Sequence, residues 1–179
     1  MPPDPVPLPT RRRWLVDGFV WYARRYVRKH FHALRLSRGS APLPADDAPV
    51  VVVLNHPSWW DPLVCAVLTG LFPGRDHYAA IDAEAMTKYP VFSKLGFFGV
   101  DTHSLRGAAG FLRTAGTILS APNRVVWVTG QGQFTDARVR PVGLRSGVGH
   151  LAARMDRGWV VPLAIEYTFW TERTPEALA

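Results

Sequence analysis

Cysteine is almost missing from this chain: Cys65 is the only one in 179 residues. One thiol cannot close an intramolecular disulfide, and a reducing compartment is the simpler setting. Long apolar runs are missing too. No uninterrupted apolar stretch follows the first arginines, so no secretory signal is expected. Arginines also interrupt residues 10–36 too often for a transmembrane span, which needs about 20 mostly apolar residues. Acid is nearly missing from one segment: residues 11–38 hold nine Lys and Arg against the single acid Asp17. The rest of the chain has 12 basic and 13 acidic residues. The net charge of +7 is therefore a property of one segment and not of the body. There is no internal repeat.

What is present suits one compact domain. Apolar residues make up 47% of the chain, enough for a core and too many for global disorder. Residues 1–9 carry five prolines and read as an extended tail. Residues 10–38 read as a basic amphipathic helix over 10–36, with Thr10 as N-cap. Trp14, Phe19, Trp21, Tyr22 and Tyr26 beside Arg24, Arg25 and Arg28 suit a helix lying in a membrane interface. The same pattern also suits a surface helix whose aromatics pack on their own domain. Residues 37–49 form a Pro- and Gly-containing linker.

Residues 50–179 form the α/β body. Val50 to Leu54 is a continuous β-branched run of the kind buried in a parallel sheet. Further strands are expected at 77–81, 97–100, 124–128 and 159–167. Helices are expected at 62–72, 83–95 with a break near Pro90, 105–120 and 143–156. The alternation predicts a mostly parallel sheet flanked by helices, preceded by the basic N-terminal helix. Thr174-Pro175-Glu176 reads as the start of another helix, which suggests a chain cut short at its C-terminus.

The densest chemistry is Asn55-His56-Pro57-Ser58-Trp59-Trp60-Asp61-Pro62, directly after the first core strand. Ligands of open α/β sheets bind beyond the carboxyl ends of the strands. A five-residue spacing through a loop entering a helix lets Asp61 fold back on His56. A carboxylate on one ring nitrogen fixes the tautomer and leaves the other nitrogen as a general base. The same residues also read more plainly, with Asp61-Pro62 as an N-cap and N1 pair and His56 as a turn residue. No second His or Cys stands nearby at ligand spacing, which weighs against a metal. His30 and His32 read as solvated, and His77, His103 and His150 acquire no role.

Asn55-His56-x-x-x-x-Asp61 after an apolar strand resembles the first motif of the glycerolipid acyltransferases, typified by the 1-acyl-glycerol-3-phosphate acyltransferases. The resemblance runs over about residues 50–167. Tyr89-Pro90 and Gly96-Phe97-Phe98-Gly99-Val100-Asp101 resemble the second block, with Thr102 where the family has Arg and Arg106 four residues on. Thr129-Gly130-Gln131-Gly132-Gln133-Phe134 departs most from the third block. Gln131 replaces Glu, Gly132 is kept, and Phe134 replaces Arg. Arg138, Arg140 and Arg145 follow and could restore positive charge. Read without the family, Gly130-Gln131-Gly132 is a tight strand-to-helix turn. Val161-Pro162 resembles the family's Val-Pro strand.

The resemblance implies a membrane-associated O-acyltransferase. His56 would be the general base and Asp61 its orienter. Asn55, Arg106, Gln131, Gly132, Arg138 and Arg140 would contact substrate, and backbone N–H groups near Gly132 could hold phosphate or an oxyanion. The donor would be acyl-CoA or acyl-carrier protein, as co-substrate and not cofactor. The acceptor would be a lysolipid or related lipid hydroxyl, with no metal and no nucleic acid. The expected place is peripheral, on the cytoplasmic face of a membrane. The alternative is a non-catalytic lipid-binding protein on the same fold, suggested by Gln131 and Phe134.

Overall fold

The computed structural model describes residues 6–40 and 42–179; the first part of the proline-rich tail therefore lies outside the described residues. Residues 6–10 have no regular structure. Helix α1 (Arg13–His30) comes first, then strand β1 (Ala33–Arg35) and the core strand β2 (Val50–Leu54). Helix α2 (Asp61–Leu68), β3 (Asp76–Asp82), α3 (Ala83–Lys88), β4 (Phe97–Val100) and α4 (Leu105–Leu119) come next. The chain ends with β5 (Arg124–Thr129), α5 (Ser146–Ala152), β6 (Trp159–Leu163), β7 (Glu166–Thr168) and β8 (Glu176–Leu178).

Five strands form a parallel sheet in the order β4-β3-β5-β2-β6. All five residues of β2 are buried. Val50, Val52 and Leu54 join a core layer with Val27 and Phe31 of the N-terminal segment and Val64 and Leu68 of α2. Val51 and Val53 face the opposite layer with Phe111, Ala115 and Ile118 of α4 and Leu151 of α5. Burial on both faces is why this strand reads as an unbroken apolar run. Its register aligns the strand ends. Leu54 pairs with Thr129 on one side and Leu163 on the other, so β2, β5 and β6 end level.

The N-terminal helix is shorter than its pattern predicts. It has 18 residues, about 27 Å at 1.5 Å per residue. Its N-cap is Arg12 and not Thr10, whose carbonyl instead accepts the Gly96 N–H. The Arg12 N–H donates to the Lys94 carbonyl, so the entry to α1 is pinned to the turn before β4. The helix stops at His30 because Phe31 turns extended and residues 33–35 pair with β8. Ala23 and Val27 are buried, while Trp14 and Trp21 are 69% and 65% exposed. One face of α1 thus packs on the domain and the other carries two exposed tryptophans. Three of the segment's nine cations are paired within the chain, Arg11 with Asp76, Arg35 with Glu176 and, at 4.0 Å on the exposed face of α1, Arg13 with Asp17.

The C-terminal helix start is also corrected. Residues 176–178 form strand β8, parallel to β1 and antiparallel to β7. The Arg35 guanidinium grips Glu176 through Nε and Nη2, each at 2.7 Å, and holds its carboxyl below the ordinary range. A helix-start pattern lost here to a strand pairing from more than 140 residues away, which no local signal encodes. The 159–167 strand is two strands, broken at Ala164-Ile165, and the 143–156 helix is only Ser146–Ala152. Among the described residues no helix is long and apolar enough to cross a membrane.

Candidate active site

The residues beyond the level ends of β2, β5 and β6 converge. His56 lies two residues past β2, and its peptide is held from both sides by the loop after β5. Its N–H donates to Gln131 Oε1 at 2.9 Å, and its carbonyl accepts the Thr135 N–H at 2.9 Å. The Phe134 ring stacks on the imidazole, with centroids 4.1 Å apart, and Trp59 packs on Phe134. Main chain, ring face and ring edge are all constrained.

The edge constraint is Asp61. Its Oδ2 is 2.6 Å from His56 Nδ1 and also receives the Ser58 N–H at 3.3 Å. Its Oδ1 accepts the Tyr167 hydroxyl at 2.7 Å. Asp61 is 2% exposed, so its charge is stabilised by these donors and not by water. The N-cap of α2 is Trp60, and no side chain caps it. The plainer reading of Asp61 as an N-cap therefore does not hold: its carboxylate is turned to the imidazole. Tyr167 stays protonated, because burial and the neighbouring Asp61 charge push its ionisation far up. It is a fixed donor. Nothing local in the sequence marked it, since it lies 106 residues from its partner.

A cavity of about 880 Å³ opens beside this group. That is within the usual size of small-molecule sites. His56, Asp61 and Gly132 line it near the sheet edge, and Phe19 and Val20 of α1, Ile81 and Phe97 give it an apolar wall. Cys65 also lines it, one turn along α2 from Asp61. Burial first, and Asp61 second, push its thiol up, so it is protonated and a poor nucleophile. Asp101 lies on the rim, held low by the Ser104 hydroxyl and the His103 N–H.

Several expected substrate contacts lie elsewhere. Asn55 does not line the cavity: it donates to the Ile165 carbonyl at 2.8 Å and accepts the Ile165 N–H at 2.7 Å. Its role is to tie the end of β2 to the bend between β6 and β7, which also sets Tyr167. Arg106 is exposed and outside the cavity wall. Arg138 is outside it as well, paired with Asp136, whose carboxyl it holds down at about 2. Arg140 donates to the carbonyls of Ala137 and Val139. Gln131 is buried and acts on the His56 backbone. Gly132 does line the cavity, but its N–H is taken by the Thr129 carbonyl and is not free for an oxyanion. Arg145, in contrast, lines the cavity directly.

His77, which acquired no role from the sequence, lines the cavity next to Trp127, whose indole N–H donates to Nδ1 at 3.1 Å. Burial, opposed only in part by the Phe72 carbonyl, lowers its pKa to about 4.

These features define a class: an open α/β domain with a His-Asp pair at the carboxyl edge of its parallel sheet, beside a largely apolar cavity. The Acyltransferase family matches residues 31–166, more than half of the chain, and the chain belongs to that family, of the glycerolipid (1-acyl-glycerol-3-phosphate acyltransferase) type. It is an acyltransferase enzyme of lipid metabolism. No curated protein matches it. The match begins at residue 31, so it takes in β1, ahead of the expected start of the body at residue 50.

The His77 environment predicts an acid-side loss of stability. An unfolded His titrates near 6.5 and this one near 4, so the unfolded state binds the proton first as pH falls. The contribution is fully present above about pH 6.5 and is lost toward pH 4, up to about 3 kcal/mol. Urea unfolding at pH 7 and pH 5 should show this drop, and His77→Gln should flatten it.

Proposed function

We propose that this enzyme is an O-acyltransferase that moves an acyl group from a thioester donor, acyl-CoA or acyl-carrier protein, to the hydroxyl of a lysophospholipid or related lipid. The observation that carries this reading is the 2.6 Å contact between His56 Nδ1 and Asp61 Oδ2, beside the cavity. With Nδ1–H directed at the carboxylate, Nε2 is the basic atom. It takes the proton of the acceptor hydroxyl as the oxygen attacks the thioester carbonyl carbon. The tetrahedral intermediate collapses, the C–S bond breaks, and the thiolate leaves with the proton that His56 had taken. An ester and a free thiol result, and the imidazole is neutral again. Asp61 stabilises the transient imidazolium, and the Tyr167 hydroxyl keeps Asp61 in place. A covalent acyl-enzyme is not part of this scheme, in keeping with the protonated thiol of Cys65.

The apolar wall suits an acyl chain. The outer face of α1 suits a membrane surface, where a lipid acceptor resides: Trp14 and Trp21 are exposed beside Arg13, Arg25 and Arg28. Each Lys or Arg near anionic lipid contributes about 1 kcal/mol. Because Val16, Phe19 and Val20 of the same helix line the cavity, binding through the outer face would set the cavity against the bilayer. The working place is then peripheral, on the cytoplasmic face.

His56→Ala should lower thiol release from palmitoyl-CoA with a lysolipid acceptor about 10²–10⁴-fold, with a native circular-dichroism spectrum and an unfolding midpoint lowered by the lost donor to Asp61. Full turnover in that variant contradicts the mechanism. For the membrane reading, replacing Trp14 and Trp21 together by Ser should weaken co-sedimentation with phosphatidylserine-containing vesicles about tenfold or more. Unchanged co-sedimentation contradicts it.

A further inference from the structure

We infer that Arg145 holds a phosphate ester of one of the substrates at the mouth of the cavity. The inference rests on the acyl-transfer reading and assigns it a binding residue. Among the described residues, Arg145 is the only Lys or Arg that lines the cavity. Each acid on the same wall is already engaged. Asp61 takes His56 and Tyr167, Asp82 caps the Glu84 N–H, and Asp101 takes the Ser104 hydroxyl and the His103 N–H. Arg11, Arg35, Arg138 and Arg157 each pair with a carboxylate, whereas Arg145 forms no ion pair among the described residues.

The guanidinium is fixed without being used up. Its Nε donates to the Gln131 carbonyl at 3.3 Å and its Nη1 to the Thr102 carbonyl. Its backbone N–H donates to the Gly130 carbonyl at 2.8 Å. A guanidinium has five N–H donors, so three remain. The tether spans the turn after β4 and the turn after β5, and the second turn also holds His56. Gly132 makes room for it: φ is +64°, and a Cβ there would sit 2.6 Å from Arg145 Nε. The turn therefore needs glycine both for its backbone and for the arginine laid across it.

A rigid planar fork with spare donors, facing a cavity with no other fixed cation among the described residues, matches the geometry of a phosphate oxyanion pair. Both kinds of substrate can supply one: a phosphate in the lipid headgroup of the acceptor, or the phosphates of the donor's carrier. The chemistry is the same, and the two sources are separable by experiment.

The test is direct binding to the full chain, followed by tryptophan fluorescence, with 1-oleoyl-glycerol 3-phosphate, 1-oleoylglycerol and coenzyme A as probes. Arg145→Gln should weaken one phosphate-bearing probe about tenfold or more, far beyond any effect on 1-oleoylglycerol. Arg145→Lys, which keeps the charge but loses the fork, should fall between the two. Loss on the glycerophosphate arm assigns the site to the acceptor, and loss on the coenzyme A arm assigns it to the donor. Three results overturn the inference: wild-type protein that binds neither phosphate probe, Arg145→Gln that binds both as the wild type does, or equal loss of all three probes. Because the readout is binding, a protein that binds but does not turn over counts against the catalytic reading alone.

Discussion

Asp61 reaches His56 only because α2 starts where the loop after β2 ends, and the whole site depends on that contact. The carboxylate is buried, so it must be satisfied by protein donors. It has three: the imidazole Nδ1, the Ser58 N–H and the Tyr167 hydroxyl. The imidazole cannot tip away, because the loop after β5 holds its peptide at both ends and lays Phe134 on its face. A buried carboxylate left without one of these donors would carry an uncompensated desolvation cost, which is why such clusters hold one geometry.

That contact is supplied by the sheet. β2 lies between β5 and β6, and the register ends all three at one level. Gln131 comes after β5, Tyr167 after β6, and His56 after β2, so one set of strand pairings brings three distant segments to one edge. Asn55 adds a second tie to the Ile165 backbone. The α1 helix then closes the cavity from outside the sheet, which couples the basic segment to the site through Phe19 and Val20.

The sequence carried some of this and not the rest, for physical reasons. β2 was legible because burial on both faces demands an unbroken apolar run. The His56 and Asp61 pair was legible because its spacing is local, and the parallel α/β class came from alternation. Tyr167 was not distinguishable from an ordinary strand residue, nor Arg145 from its neighbours Arg138 and Arg140, since their meaning comes from contacts with segments about 100 and 40 residues away. Asn55, Arg138 and Arg140 were chemically suitable for substrate, but the Asn55 amide is taken by the Ile165 backbone and the two arginines lie outside the cavity wall. The strand at the C-terminus shows the same limit: Thr174-Pro175-Glu176 has the local form of a helix start, and pairing with β1 overrides it.

In the proposed mechanism His56 and Asp61 act as one unit. A double-mutant cycle on kcat measures this directly, using His56→Ala, Asp61→Asn and the combined variant with palmitoyl-CoA and a lysolipid acceptor. Residues that act as a unit are strongly non-additive. If the pair acts as one unit, each single variant shows a large loss and the double almost no further loss. Losses that multiply would contradict it, because they would mean that Asp61 works independently of the imidazole it touches.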